Sequence, residues 1–284
     1  MGFKDILVHV DEFRGHETRI HIACDLAARD EAHLIGLFGI EPIRFGGMVT
    51  PVGADFAQIE AIEIIERQHR AERAAVAARL EAVFRHTADL AGIGCDWRTQ
   101  EGEIAGLVTA QARLADIAIV GQADPEALQN GASVPEAVLL GAGRPVLVIP
   151  YVGHFETVGA RALVAWNHTR EAARAVNDAL PLLSQAESVT VLAINPASGS
   201  AEADELATAD VALHLARHGV KAEASYSVVE GIDVGDALLS RAADLGSDLI
   251  VMGGYGHSRL REVVMGGATR TILQHMTVPV LLSN

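Results

Sequence analysis

Lysine is almost missing from this chain of 284 residues: only Lys4 and Lys221 occur. A phosphate loop of the G-x4-G-K-[ST] kind needs a lysine beside its glycines, so that motif is excluded. Cysteine is nearly as scarce. Cys24 and Cys95 stand far apart with no metal-type spacing, and read as two reduced thiols of a cytoplasmic protein. Aromatic residues make up only 4% against 50% apolar, the balance of a soluble Ala-rich α/β chain. No apolar run is long enough to span a bilayer. Lys4 and Asp5 interrupt any signal-peptide core, and Ile6 stands where a myristoylation site needs Ser or Thr. Positive charge is short: 22 basic residues face 37 acidic ones, a net −15. Such a field repels nucleic acid and anionic membrane, so neither is an expected partner.

What is present is a repeat. Ala115-Asp-Ile-Ala-Ile-Val-Gly121 matches Ser247-Asp-Leu-Ile-Val-Met-Gly253, and Arg144-Pro-Val-Leu-Val-Ile149 matches Val278-Pro-Val-Leu-Leu-Ser283. Ile6-Leu-Val-His-Val-Asp11 matches Leu163-Val-Ala-Trp-Asn167, and Glu101-Gly102 and Glu230-Gly231 each precede an amphipathic stretch. A repeat of this period means two copies of one domain, expected over residues 1–151 and 158–284.

Within each copy, short apolar runs alternate with longer helical patterns. Strands are expected over Ile6–Val10, His33–Ile40, Ala118–Val120 and Val146–Ile149. The second copy adds Ala162–Trp166, Ser188–Ile194, Ala222–Val229, Leu249–Met252 and Val280–Leu282. Helices are expected over Glu17–Arg29, Asp55–Leu90, Thr169–Leu183, Glu202–His218 and Gly235–Leu245. Alternation of this kind predicts an α/β fold: two tandem Rossmann-like or flavodoxin-like domains, each a parallel five-stranded sheet with helices on both faces. Glu41–Gly53 reads as a mobile connection. Ligands of such sheets sit beyond the carboxyl ends of the strands, where Asp11, Asn167, Ile194 and the turn after Gly253 fall.

That turn carries the clearest chemical signal. Gly253, Gly256 and Gly266 form G-x2-G-x9-G between a strand and a helix-like segment, Ala268–His275. Glycines there let backbone N–H groups approach an anion, and the following helix N-terminus favours negative charge. The pattern, with the Pro-Val-Leu strand after it, resembles the universal stress protein family over nearly the whole chain in two copies. The resemblance implies an adenine-nucleotide site in the second copy, taking ATP, ADP or AMP with or without Mg²⁺. Ala165 and Asn167 would line base and ribose, and Ala193 and Ile194 would offer backbone to the adenine edge. Met252 and Gly253 would floor the pocket. Gly256, His257, Gly266, Gly267, Ala268 and Thr269 would face ribose and phosphates. Two positions depart from the family's pattern: Asn167 replaces an aspartate, and Gly267 replaces a Ser or Thr hydroxyl that Thr269 restores only if it points inward.

The first copy keeps Asp11 but follows Gly121 with Gln-Ala-Asp124-Pro125-Glu126. Two acids and a proline without an N–H replace the anion loop, so no nucleotide is expected there. The two C-terminal strands, edge strands in each copy, are expected to pair within the chain as an intramolecular pseudo-dimer; the sequence leaves further dimerisation open. The remaining candidates read structurally. His214 and His218 share a helix face without a third ligand, Gly141-Ala-Gly143 is a helix-end turn, His9 is a satisfied strand histidine, and Ser258 lacks a nucleophile elbow. No catalytic residue and no metal site is assigned. The expected function is nucleotide-dependent stress-response regulation. The alternatives are a slow ATPase, whose nearest acids are Asp233 and Asp236, and a scaffold or carrier of another ligand using the apolar Pro42–Phe56 segment.

Overall fold

The structure is a computed structural model that describes residues 2–43, 56–123, 133–195, 201–255 and 267–284. The first half contains β1 (Asp5–His9), α1 (His16–Asp30), β2 (His33–Ile40), α2 (Phe56–Ala91) and β3 (Cys95–Glu101). It continues with α3 (Ile104–Ala112), β4 (Ile117–Gly121), α4 (Val134–Gly141) and β5 (Val146–Ile149). The second half repeats the series as β6 (Arg161–Ala165), α5 (Arg170–Asp178), α6 (Leu180–Leu183), β7 (Ser188–Ile194) and α7 (Ala201–Arg217). It ends with β8 (Ala222–Ser227), α8 (Val234–Asp244), β9 (Leu249–Gly253), α9 (Gly267–His275) and β10 (Val280–Ser283).

The strands form one ten-stranded sheet in the order β3-β2-β1-β4-β5-β10-β9-β6-β7-β8. Every pairing is parallel except the central one, where Val280, Leu281 and Leu282 lie antiparallel to Val148, Leu147 and Val146. The two C-terminal strands thus cover each other's edges, which leaves only β3 and β8 at the ends of the sheet.

Period-two alternation divides the strand residues between two cores. Ile6 and Val8 face the layer formed by α1, α2, α5, α6 and α7, where Ile20, Leu80, Phe84, Val176 and Leu215 are buried. Leu7, Ile250 and Met252 face α3, α4, α8 and α9, with Val108, Leu139, Leu238 and Ile272. Burial on both faces explains the near-continuous apolar runs. The repeated Asp before β4 and β9 has a structural purpose. Asp116 accepts from Lys4 N–H (2.7 Å) and Asp5 N–H (3.1 Å), while Asp248 accepts from the N–H groups of Gly159, Ala160 and Arg161 and the hydroxyl of Thr157. Each carboxylate ties down the start of the adjacent first strand.

The helix expected over Thr169–Leu183 is two helices, broken at Ala179. Pro181 cannot donate to the carbonyl four residues earlier, so the α5 ladder stops. Strand β3 was absent from the expected set. It is an edge strand of mixed polarity, Cys-Asp-Trp-Arg-Thr-Gln-Glu, and lacks the buried apolar signature. The Glu41–Gly53 connection falls largely outside the described residues. Among the described residues, no helix is long and apolar enough to cross a membrane.

Candidate functional site

The candidate site lies where three adjacent parallel strands of the second half end. A cleft of about 400 Å³, counting its open mouth, is lined by Ala165, Asn167, Ile194, Met252, Gly253 and Ala268. Trp166, Leu192, Val234 and Leu238 complete the wall. These four were not among the expected residues. Val234 and Leu238 come from α8, which no motif joined to the glycine turn. Ala193 is buried in β7 outside this lining. Gly256, His257, Gly266 and Ser258 lie outside the described residues.

Gly253 is held as glycine by its own fold. A Cβ there would stand 2.5 Å from Ala172 N and Glu171 C, so the first turn of α5 packs directly on the strand end. Gly254 is similarly filled from across the seam, where a Cβ would meet Leu139 Cδ2 of α4 at 2.6 Å. Asn167 organises the turn into α5. Its Oδ1 accepts from Thr169 N–H (3.3 Å) and Thr169 O–H (2.8 Å), and Thr169 Oγ1 accepts from Ala172 N–H (3.2 Å) as the helix N-cap. The amide therefore serves the turn that a carboxylate at this position would also serve.

Three helix N-termini point at this edge. α5 is capped by Thr169, α8 by Asp233, whose Oδ1 accepts from Gly235 N–H at 2.8 Å, and α9 begins at Gly267. Thr269 is 4% exposed and its hydroxyl lies 3.4 Å from Tyr255 N, so it points inward against the glycine turn. Gly267 is exposed, and a Cβ on it would stand 3.6 Å from Asp233 Oδ2. A carboxylate thus sits beside the α9 N-terminus, where the helix dipole favours negative charge.

Backbone strain gathers at the same edge. His168 (φ 61°), Asn195 (φ 45°) and Tyr255 (φ 61°) follow β6, β7 and β9 in the left-handed region. Such residues cost about 1–3 kcal/mol each and cluster at functional sites. Among the described residues the first half has one, Glu31 at the end of α1, away from its strand edge.

The corresponding edge of the first half is filled. Arg19 is 2% exposed, and its Nη2 lies 2.8 Å from Asp11 Oδ1. A Cβ on Gly121, the counterpart of Gly253, would stand 1.9 Å from Arg19 Nη1. The guanidinium therefore occupies the floor of that edge. His9 adds a third member, its Nδ1 3.7 Å from Asp11. Burial pushes His9 down to about 4 against the pull of Asp11, so it is neutral at pH 7. Burial would raise Asp11, but Arg19 and His9 outweigh it and hold the carboxyl below its usual range. Asp124, Pro125 and Glu126 lie outside the described residues.

Residues 160–284 match the Universal stress protein family. That match covers the second half of the chain. The fold of the whole chain is similar to that of a universal stress protein from Archaeoglobus fulgidus DSM 4304, with a TM-score of 0.73 at 17% identity over 99% of this chain and 96% of that one. A candidate universal stress protein from Pseudomonas aeruginosa UCBPP-PA14 gives a TM-score of 0.58 at 15% identity over 99% and 93%. No curated protein matches the sequence. In the matched half the expected strand-end residues Ala165, Asn167, Ile194, Met252 and Gly253 meet Ala268 of α9 in one cleft. His214 of α7 and His218, just past its end, are both exposed, with ring centroids 4.7 Å apart. Gly141 closes α4, and Gly143 (φ 67°) forms the turn after it.

Proposed function

We propose that the second-half cleft binds an adenine nucleotide and that binding is regulatory, in a stress-response role. The observation that carries this reading is an apolar cleft at the ends of β6, β7 and β9 that opens toward the N-terminus of α9, within the half that matches the universal stress protein family. Ala165, Ile194, Leu238 and Met252 suit a flat base. Asn167 suits the ribose, because its Nδ2 donors have no partner among the described residues. The N–H groups opening α9, with the inward hydroxyl of Thr269, suit phosphates. On this reading residues 158–284 form the binding unit and residues 1–151 a companion unit whose own edge Arg19 fills.

Mg²⁺ fits as a phosphate-borne ion. Among the described residues no three His, Cys, Asp or Glu side chains gather as a metal site. Asp233 is a single carboxylate beside the α9 N-terminus, and Mg²⁺ is commonly held by one or two carboxylates plus substrate phosphates. The same acid favours slow ATP hydrolysis as a second reading. Release of γ-phosphate above background, abolished by Asp233→Asn, would support it.

The test begins with the purified protein, denatured and assayed by mass spectrometry for released small molecules. Calorimetric titration with ATP, ADP and AMP follows. The expected result is about one nucleotide per chain, with binding lost in Ala165→Phe, which fills the cleft. Unchanged affinity in that variant would remove the site from this place. A stoichiometric hydrophobic ligand in its stead would favour the carrier reading.

A further inference from the structure

The helix that opens onto the proposed nucleotide site is held at its far end by the other half of the chain. Gln122 follows Gly121 at the end of β4. Its Nε2 donates to Leu273 O (3.0 Å) and Gln274 O (3.1 Å), two of the last carbonyls of α9. Helix ends leave their last four carbonyls without intrahelical donors, so one side chain satisfies half of that set. Gln122 is 7% exposed, and its own Oε1 accepts from Tyr151 N–H at 3.4 Å. Its backbone N–H goes to Ile149 O at 2.7 Å, which fixes the residue on the sheet.

The repeat makes the contact one-sided. Gly254 is the counterpart of Gln122, and its N–H bonds Ser283 O at 2.8 Å in the same way. Having no side chain, it cannot clamp α4 in return and admits Leu139 instead. The last carbonyl of α4, on Gly141, is taken by Arg113 of its own half at 3.1 and 3.3 Å. Burial raises the pKa of Glu136 on α4, while the charge of Arg270 on α9 favours its ionised form across the seam. α9 spans nine residues, about 13 Å, so a clamp at its end governs where its first turn stands.

We infer that Gln122 is a positioning residue for the second-half site: the half without a glycine loop completes its partner's phosphate end by fixing α9. This rests on the nucleotide reading above and adds a dependence that reading does not need. In the full-length protein, Gln122→Ala and Gln122→Glu are compared with the unsubstituted chain by titration with ATP and with adenosine. Gln122→Glu keeps the shape but faces the two carbonyls with an acceptor. Loss of one or two such bonds should weaken ATP roughly three- to tenfold. Adenosine affinity should change less, because adenosine meets α9 only at the cleft wall formed by Ala268 and lacks the phosphates placed on the first N–H groups of that helix. Equal ATP affinity in both variants, or ATP and adenosine falling together as in general loosening, overturns the inference. If the unsubstituted protein binds neither ligand, the nucleotide reading itself fails and this one with it.

Discussion

The two halves share strands, order and the aspartate that anchors the first strand, yet they treat the same sheet edge in opposite ways. In the first half a buried arginine lies across Gly121 and neutralises Asp11, with a neutral His9 beside them. In the second half the first turn of α5 packs on Gly253, Asn167 carries no charge to neutralise, and a cleft remains. A strand-end aspartate is therefore not by itself a mark of a ligand site. Where its partner comes from the chain's own helix, the pair belongs to the interior. Where the position is an amide and three neighbours adopt left-handed backbone, the edge stays open.

That contrast can be broken from either side. The largest effect is expected for Arg19→Ala, which leaves Asp11 buried without its cation. Loss of one member of such a pair costs about 3–5 kcal/mol, read as a fall in chemical-denaturation stability. A loss under 1 kcal/mol would mean that Arg19 does not hold this edge.

The next effect is pH dependence. Unfolded His9 binds its proton near 6.5, and folded His9 only near 4. Between those values the unfolded chain holds more protons, so stability falls as pH drops from 6.5 to 4, by up to about 3 kcal/mol. Asp11, depressed in the folded chain, adds a further loss only below the usual carboxylate range. His9→Asn should flatten the upper part of that profile, and an unchanged slope between pH 6.5 and 4 would contradict the burial assigned to His9.

Gly253→Ala follows. Its Cβ meets backbone that no rotamer change can move, and a destabilisation of about 2–3 kcal/mol is expected by thermal unfolding. Neutral behaviour would separate Gly253 from the α5 contact. The smallest effect is Asn167→Ala, which unties the turn into α5 at about 1 kcal/mol or less, whereas Asn167→Asp should keep the turn and the stability. A larger loss in Asn167→Asp than in Asn167→Ala would show that the amide donors matter to the fold.

Much of this was legible in residues. Double-sided burial wrote β1, β2, β4, β5, β6, β7, β9 and β10 as apolar runs. The two C-terminal strands, expected to pair within the chain, form the β5–β10 seam, whose antiparallel sense comes from the structure alone. The polar edge strand β3 carried no such run, and only its place beside β2 makes it a strand. Ala165, Asn167, Ile194, Met252, Gly253 and Ala268 were assigned to the site from the resemblance and do meet in one cleft. Gly253, expected with Met252 to floor the pocket, also gives the first turn of α5 the clearance it needs. Arg19 carried no local signal, since its partner lies eight residues back across a turn. Val234 and Leu238 were equally silent: apolar residues at the start of α8 look like any core face until α8 is placed beside α9.

The most direct measurement is a crystal structure grown with a non-hydrolysable ATP analogue. The account predicts one analogue per chain, its base among Ala165, Ile194 and Met252 and its phosphates at the start of α9, with Arg19 still paired to Asp11. Density in the first-half edge with Arg19 displaced, or an empty second-half cleft at saturating analogue, would contradict it.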